Sequence, residues 1–398
     1  MKLYKIKKSK IDKRGLYASS DISKGTKIIE YKGKIISVKK SEIDPKFEND
    51  KAIYLFNINE KFDLDGKIST NGPYNSYDSY KRGRTKTMPV FKAEDFTKWS
   101  EDLIFPLIPS IEAGQVYKKM KKHPKFSDSK HSWIAKPVRE VDATNDKKLM
   151  NLNPNKTDDL WRVYKGESFD IWNPDTGKQY AWIEPEKIIN HLFDKRKRQI
   201  RNKRSVFYNM DINYINDKYT LDIFKPRIGF RGITNRTNSR TIIASLVPPK
   251  VILQNSSPYL SIEGSTYDEA FLLGVMCSIP FDWTARRIIE LNLNFYLLES
   301  LPIPLVSNNS KYKKELVSLV ARLVSVDNRF ADWSKELGVN IGSIKSNEKE
   351  EIIERIDAIV AHMYELNEND IKVIFESFHV GWDYKTRLNA VLSHFRSL

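Results

Sequence analysis

Residues 225–241, KPRIGFRGITNRTNSRT, gather the side chains best suited to reading nucleic acid. They hold Arg227, Arg231, Arg236 and Arg240 together with Asn235, Thr237 and Asn238. A guanidinium pairs in two-pronged fashion with guanine, and a carboxamide does the same with adenine. A threonine or serine hydroxyl serves phosphate or base edges. A loop with all three is equipped for groove readout. The competing use of Arg231 and Arg236 is structural, as donors to loop carbonyls.

A second cluster is purely cationic. Lys195, Arg196, Lys197 and Arg198 are consecutive, and Arg201, Lys203 and Arg204 follow. Such a run binds phosphate by displacing counter-ions, without sequence preference. The alternative is a solvated helix face. Arg286-Arg287 is a smaller candidate for phosphate, with a salt bridge to Glu290 as its rival explanation.

The overall balance points the same way once it is located. The chain has 398 residues, 67 Lys/Arg and 51 Asp/Glu, a formal charge of +16. Residues 1–100 hold 23 basic and 13 acidic residues, and residues 101–204 hold 22 and 15. Residues 205–300 are balanced at nine of each, and 301–398 carry 13 against 14. The excess therefore lies in the first half, and duplex DNA is the expected partner. No amphipathic basic helix backed by Trp, Phe and Leu suggests a membrane surface.

Other chemistries lack their residues. Cys277 is the one cysteine, so neither an internal disulfide nor a Cys-rich zinc site is expected, and a reducing, cytoplasmic setting is the natural reading. The six His are scattered, and no metal site, Walker motif or nuclease signature is evident. No apolar run reaches the roughly 18 residues of a membrane span. The basic N-terminus has no apolar stretch behind it and does not read as a signal peptide.

The elements that must position these residues follow from periodicity and turn chemistry. Lys27–Tyr31, Lys34–Val38 and Ala52–Asn57 read as strands, with Gly15, Gly25, Gly33 and Asp65-Gly66 as turns. Residues 71–98 read as a linker. Helical spacing appears around Glu94–Leu103. Two aromatic-rich runs over 161–185 flank Asn173-Pro174-Asp175-Thr176-Gly177, the signature of a hairpin. Trp161, Trp172, Trp182, Tyr164 and Tyr180 are read mainly as core, with stacking on a displaced base as the other use for one or two. Pro185 opens a helix that runs to about Arg204, with Ile188, Ile189, Leu192 and Phe193 on one face. Residues 222–262 return to strands and 266–298 to helix. After Leu301-Pro302-Ile303-Pro304 come amphipathic helices marked by Leu316, Leu319, Val320 and Leu323, then by Ile352, Ile356, Ile359 and Met363. Asn367 reads as an N-cap.

Two resemblances attach to these segments. Arg14-Gly15-Leu16-Tyr17-Ala18, Ile22, Gly25 and Ile28-Ile29-Glu30-Tyr31-Lys32-Gly33, with Tyr54-Leu55-Phe56 and Asp63-Leu64-Asp65-Gly66, resemble the first half of a SET domain over about residues 1–70. In that family the early Arg-Gly turn approaches S-adenosylmethionine. The family's Asn-His-Ser-Cys motif has no counterpart: Asn190-His191 is followed by Leu-Phe within a predicted helix.

From about residue 99 the chain is similar to the region beyond the catalytic domain of bacterial adenine-specific restriction-modification methylases. The carrying residues are Pro106–Ser110, Trp133, Arg139–Thr144, Trp161–Trp172, Pro226–Thr241, Ser278–Arg287, Asn292–Phe295 and Leu301–Pro304. That resemblance implies a target-recognition region. The family's catalytic Asn/Asp-Pro-Pro-aromatic motif is absent, since Val247-Pro248-Pro249-Lys250 lacks both flanking residues and Asn173-Pro174-Asp175 lacks the second proline.

The expected fold is α+β. It comprises a small SET-like β segment (1–70), a linker (71–98), a mixed recognition domain (99–300) and a helical bundle (301–398). The expected function is sequence-specific DNA binding for adenine methylation in a restriction-modification or phage-defence system. No catalytic residue is expected in this chain; S-adenosylmethionine would sit on a methyltransferase partner. The competing enzyme reading is a SET-type lysine methyltransferase with a large insertion, and a third is an inactive fusion. The expected DNA contacts are Lys195, Arg196, Lys197, Arg198, Arg201, Arg204, Arg227, Arg231, Asn235, Arg236, Thr237, Asn238, Arg240, Arg286 and Arg287.

Overall fold

The computed structural model describes residues 4–7, 15–18, 55–58, 67–74, 89–99, 104–203, 205–208, 210–378 and 383–398. The chain divides into two compact units, Met1–Leu55 with Tyr74–Arg82, and Phe56–Pro73 with Gly83–Leu398.

Within the first unit, strands β1 (Tyr4–Lys7) and β2 (Gly15–Ala18) pair antiparallel, with Lys7 opposite Gly15 and Tyr4 opposite Ala18. Gly15, expected as a turn, is thus the first residue of a strand. Arg14, Ile22, Gly25, the runs at 27–31 and 34–38, Gly33, Tyr54 and residues 63–66 lie outside the described residues. Strand β3 covers Leu55–Ile58, the end of the third predicted run.

Strand β4 (Lys67–Tyr74) pairs with β5 (Val90–Lys92), Ile68 facing Phe91, and helix α1 (Ala93–Trp99) follows directly. Residues 71–74 and 90–98, within the expected linker, are therefore regular structure, and α1 lies where helical spacing appears around Glu94. The reason is apolar: Phe91, Phe96 and Trp99 are buried and meet edge to face at 5.3–5.8 Å, with Trp99 also against Tyr117. Tyr117 belongs to α2 (Ile111–Met120), which Ser110 caps by accepting from the Ala113 amide.

Two sheets follow. The larger has the order β10–β9–β12–β6: β6 (Ile134–Val138), β9 (Arg227–Phe230), β10 (Ala244–Val247) and β12 (Tyr259–Glu263) are all antiparallel. The smaller has the order β11–β7–β8. Strands β7 (Trp161–Tyr164) and β8 (Ala181–Ile183) form the predicted hairpin, and β11 (Ile252–Leu253) runs parallel to β7. In the hairpin loop, Gly177 adopts φ +78° and its amide donates to Asp175, so the Asp-Thr-Gly chemistry sets the return. Helix α3 (Pro185–Gln199) packs Ile188, Leu192 and Phe193 against the core of this smaller sheet, and a short α4 (Ile212–Asn216) follows it.

The helices form the rest. Helix α5 (Thr266–Cys277) is apolar nearly all round and buried, and α6 (Ile279–Arg286) follows it through Ser278, which caps α6. The short α7 (Phe295–Glu299) leads to α8 (Lys311–Val324), α9 (Ala331–Glu336), α10 (Ser346–Met363), α11 (Glu368–Glu376) and α12 (Lys385–Ser397). Asn367 caps α11 as expected, in a reciprocal box with Asp370. Helices α5 and α8 cross closely because Gly274 has no side chain: a Cβ there would stand 2.8 Å from Val320 Cγ2. One apolar cluster runs from Phe91 to Leu392, so residues 99–300 and the C-terminal helices share a core. The fold is α+β. Among the described residues no helix is long and apolar enough to cross a membrane.

Candidate nucleic-acid interface

The stretch that sequence marked as a loop at 225–241 is partly strand. Its first arginine, Arg227, lies in β9 and is 1% exposed. Its guanidinium donates to both oxygens of buried Glu140, at 2.9 and 3.0 Å, and to the Val251 carbonyl. Arg231 donates to the Phe169 carbonyl at 2.8 Å and lies 3.6 Å from Asp170. These two guanidinia bond to residues that flank the smaller sheet.

The true loop is Thr234–Thr241. Its base closes where the Thr234 hydroxyl donates to the Thr241 carbonyl at 2.6 Å. Within it, Asn235 Oδ1 accepts from the amide and the hydroxyl of Thr237, both at 2.9 Å, and the Asn238 amide donates to the Asn235 carbonyl. That is a side-chain-built turn of the kind asparagine favours. From beneath, Arg286 donates to the carbonyls of Arg236 (2.7 Å), Asn238 (2.9 Å) and Ser239 (3.1 Å). Tyr384 adds its hydroxyl to the Ser239 carbonyl.

Asp282, fully buried on α6, anchors the loop's far end. It accepts from Arg240 Nε at 2.7 Å and from the amides of Thr241 and Ile242. Arg240 also donates to the carbonyls of Cys277 and Ser278, at 2.6 and 3.1 Å. Arg287 donates to the Trp283 and Ser377 carbonyls and is buried. Burial first, then the charges of Arg286 and Arg236, push its guanidinium downward, so several cations crowd beneath this loop.

Arg227, Arg240, Arg286 and Arg287, expected as DNA contacts, thus have their guanidinia committed to internal carboxylates and carbonyls. The rival explanation for Arg286-Arg287, a salt bridge to Glu290, does not hold either. Glu290 is exposed, and the carboxylate near Arg286 is Asp282 at 3.9 Å, one helical turn back. What the loop leaves outward is Asn238, exposed, and Asn235 and Arg236, partly exposed; Thr237 is exposed as well. The Arg236 side chain has no hydrogen-bond or ion-pair partner among the described residues.

The basic cluster divides similarly. Pro185 starts α3 and its last turn is basic, which suits the negative end of the helix dipole. Lys195 donates to the carbonyls of Arg139 and Glu140 at 3.0 and 2.8 Å, and burial lowers its pKa. Arg196, 2% exposed, donates to the carbonyls of Ile215 and Asp217 and to the Thr220 hydroxyl. Both were expected at the DNA surface, and both instead clamp the helix to its neighbours. Lys197 lies 4.1 Å over the Phe193 ring with its side chain exposed. Arg198, Arg201 and Lys203 are exposed, without hydrogen-bond or ion-pair partners among the described residues. Arg204 lies outside the described residues. Asn190 and His191 are helical as expected, engaged with Lys218 and Asp146.

Of the expected aromatic core, Tyr164 and Trp172 are buried, while Trp161, Tyr180 and Trp182 are half-buried. Trp172 sits at φ +55°, a left-handed position unusual for a bulky residue, where Lys349 donates to its carbonyl at 2.9 Å. Cys277 is buried, and burial pushes its thiol up to about 12, so it is an inert core residue. Among the described residues no group of three His, Cys, Asp or Glu is placed to hold a metal ion. Asp282 and Tyr384 went unnoticed in the sequence. The spacing of Asp282 four residues before Arg286 was the available signal.

No protein-family model matches the chain, and no curated protein does. A solved structure of the Type IIL restriction-modification enzyme MmeI in complex with DNA is similar at a TM-score of 0.35 and 12% identity. The match covers 64% of this chain and 36% of that one, so the chain spans about a third of the matched protein's length. A likeness this slight leaves function to be argued from the chain's own residues.

Proposed function

We propose that this chain is a duplex-DNA-binding, target-recognition component of an adenine-methylating restriction-modification or phage-defence system, with catalysis supplied in trans. The observation that carries the reading is the braced loop. A turn whose carbonyls are gripped by buried Arg286 fixes the backbone from which Asn235, Arg236 and Asn238 project. Pre-organisation of that kind suits base-edge recognition, because little backbone ordering cost remains to be met on binding. The exposed Lys197, Arg198, Arg201 and Lys203 supply phosphate contacts that carry affinity without sequence information.

S-adenosylmethionine belongs on the partner in this reading, so titration of it into the isolated chain gives no heat. Electrophoretic shift with a mixed panel of duplexes tests the main claim. Binding is expected at about 50 mM salt and should weaken steeply by 200 mM. An absence of affinity for every duplex at the lower salt overturns it.

A further inference from the structure

The loop and the end of α3 are separate clusters in sequence, yet a chain of contacts joins them. Lys195 is fixed to the carbonyls of Arg139 and Glu140. The Arg139 side chain is exposed and lies 5.1 Å over the ring of Phe295. Phe295 rests edge-on against Phe230 of β9 at 6.4 Å. From there residues 290–294 run back to the loop and are sewn to it. The Leu293 amide donates to the Gly232 carbonyl at 2.9 Å, the Thr234 amide to Leu291 at 3.1 Å, and the Arg236 amide to Glu290 at 3.3 Å, while Asn292 bridges to Ile233.

Along this segment Leu293 is buried, whereas Leu291, Asn292, Asn294 and Tyr296 are exposed. Ile233 beside them is 68% exposed and Leu291 62%. The nearby carboxylates are Glu290, exposed, and Glu299, half-buried; Asp142 lies near enough for the Arg139 charge to act on it, but no ion pair forms among the described residues.

We propose that Arg139, held over the Phe295 ring, together with the exposed amides Asn292 and Asn294, is the middle of one continuous DNA-contacting strip that links the cationic end of α3 to the Thr234–Thr241 loop. The proposal rests on the DNA-binding reading above. The ring offers the guanidinium a resting place at the surface, and its N–H donors, unspent among the described residues, are suited to phosphate. The amides are suited to phosphate or base edges. The exposed tips of Ile233 and Leu291 offer apolar contact, as a thymine methyl would take.

The test is fluorescence anisotropy of the full chain with a labelled 30-bp duplex across a salt series. Arg139→Ala is expected to weaken binding about threefold or more and to reduce the slope of log K against log salt by about 0.9. Arg139→Gln, which keeps a side chain over the ring but removes the charge, is expected to lower the slope equally, and its melting curve should match the parent. Asn292→Ala with Asn294→Ala should weaken binding while leaving the slope nearly unchanged. The strip is overturned if both Arg139 variants bind with the parental affinity and slope while Arg198→Ala does not. If the parent chain binds no duplex, the DNA reading fails, and the strip with it.

Discussion

At the end of α3, Arg198, Arg201 and Lys203 reach solvent without partners among the described residues; around the Thr234–Thr241 loop, Arg240, Arg286 and Arg287 turn inward onto carbonyls and Asp282. Both regions are arginine-rich, and both suggest DNA contact in the sequence. One presents its charge, and the other uses charge to hold a backbone in shape. The difference teaches that a run of positive residues can be spent on holding a loop rather than on meeting solvent. Arg286 acts at one remove, through the main chain of Arg236, Asn238 and Ser239, the tip proposed above to meet DNA.

The sharpest way to break this contrast is to remove the buried carboxylate. Asp282→Ala strands Arg240 and two loop amides, and leaving a buried charge unpaired is expected to cost about 3–5 kcal/mol in chemical denaturation. A loss below about 1 kcal/mol would mean that the loop's far end is solvated and the inward description is wrong. Next is Arg286→Met, which keeps bulk over the Phe378 ring but deletes three donors to loop carbonyls. A loss of about 2–3 kcal/mol is expected, since each such hydrogen bond contributes about 1.5 kcal/mol or more before repacking offsets part of it. Amide exchange at Asn238 and Ser239 should accelerate more than elsewhere.

A carboxyl without a close cation sharpens the comparison from the other side. Glu269 accepts from the Trp333 indole N–H at 2.7 Å. Burial pushes its carboxyl up to about 7 against that hydrogen bond and the charge of Lys225, with Asp222 and Glu336 adding to the rise. The folded state then keeps a proton that the unfolded chain, at an ordinary carboxyl value, releases. This group's stabilisation is therefore present below about pH 4.5 and lost as pH rises toward 7. Thermal melts of Glu269→Gln should fall less steeply between pH 5 and 7.5 than those of the parent, and identical slopes would contradict the assignment.

The smallest effect on stability is expected at the outward cations. Arg198→Ala and Arg201→Ala should each change unfolding free energy by less than about 0.5 kcal/mol. Their consequence should appear in duplex binding and its salt dependence instead.

Much of the architecture was legible. The Asp-Thr-Gly turn, the Asn367 cap and the apolar spacing of α8 and α10 are local signals, and local signals survive into the fold. Helix α2 was harder to see because Gly114 interrupts it, a position where a Cβ would stand 2.5 Å from Pro89. The end of α3 falls at Gln199, short of the Arg204 suggested by its basic run, since that run contributes no apolar face. At the site, residue type indicated nucleic acid, but the direction of each guanidinium could not be read. An arginine beside a carboxylate supplied by a distant segment, as Arg227 with Glu140, looks in sequence like one meant for solvent.

The grip of Arg286 on the loop has a consequence for change. It takes hold of the carbonyls of residues 236, 238 and 239, and Tyr384 likewise meets residue 239 through its carbonyl. Every residue has that carbonyl, so the hold is indifferent to which side chains stand at these three positions. The tip can be rewritten there without loosening the frame beneath it, so its three side chains are free to vary one at a time.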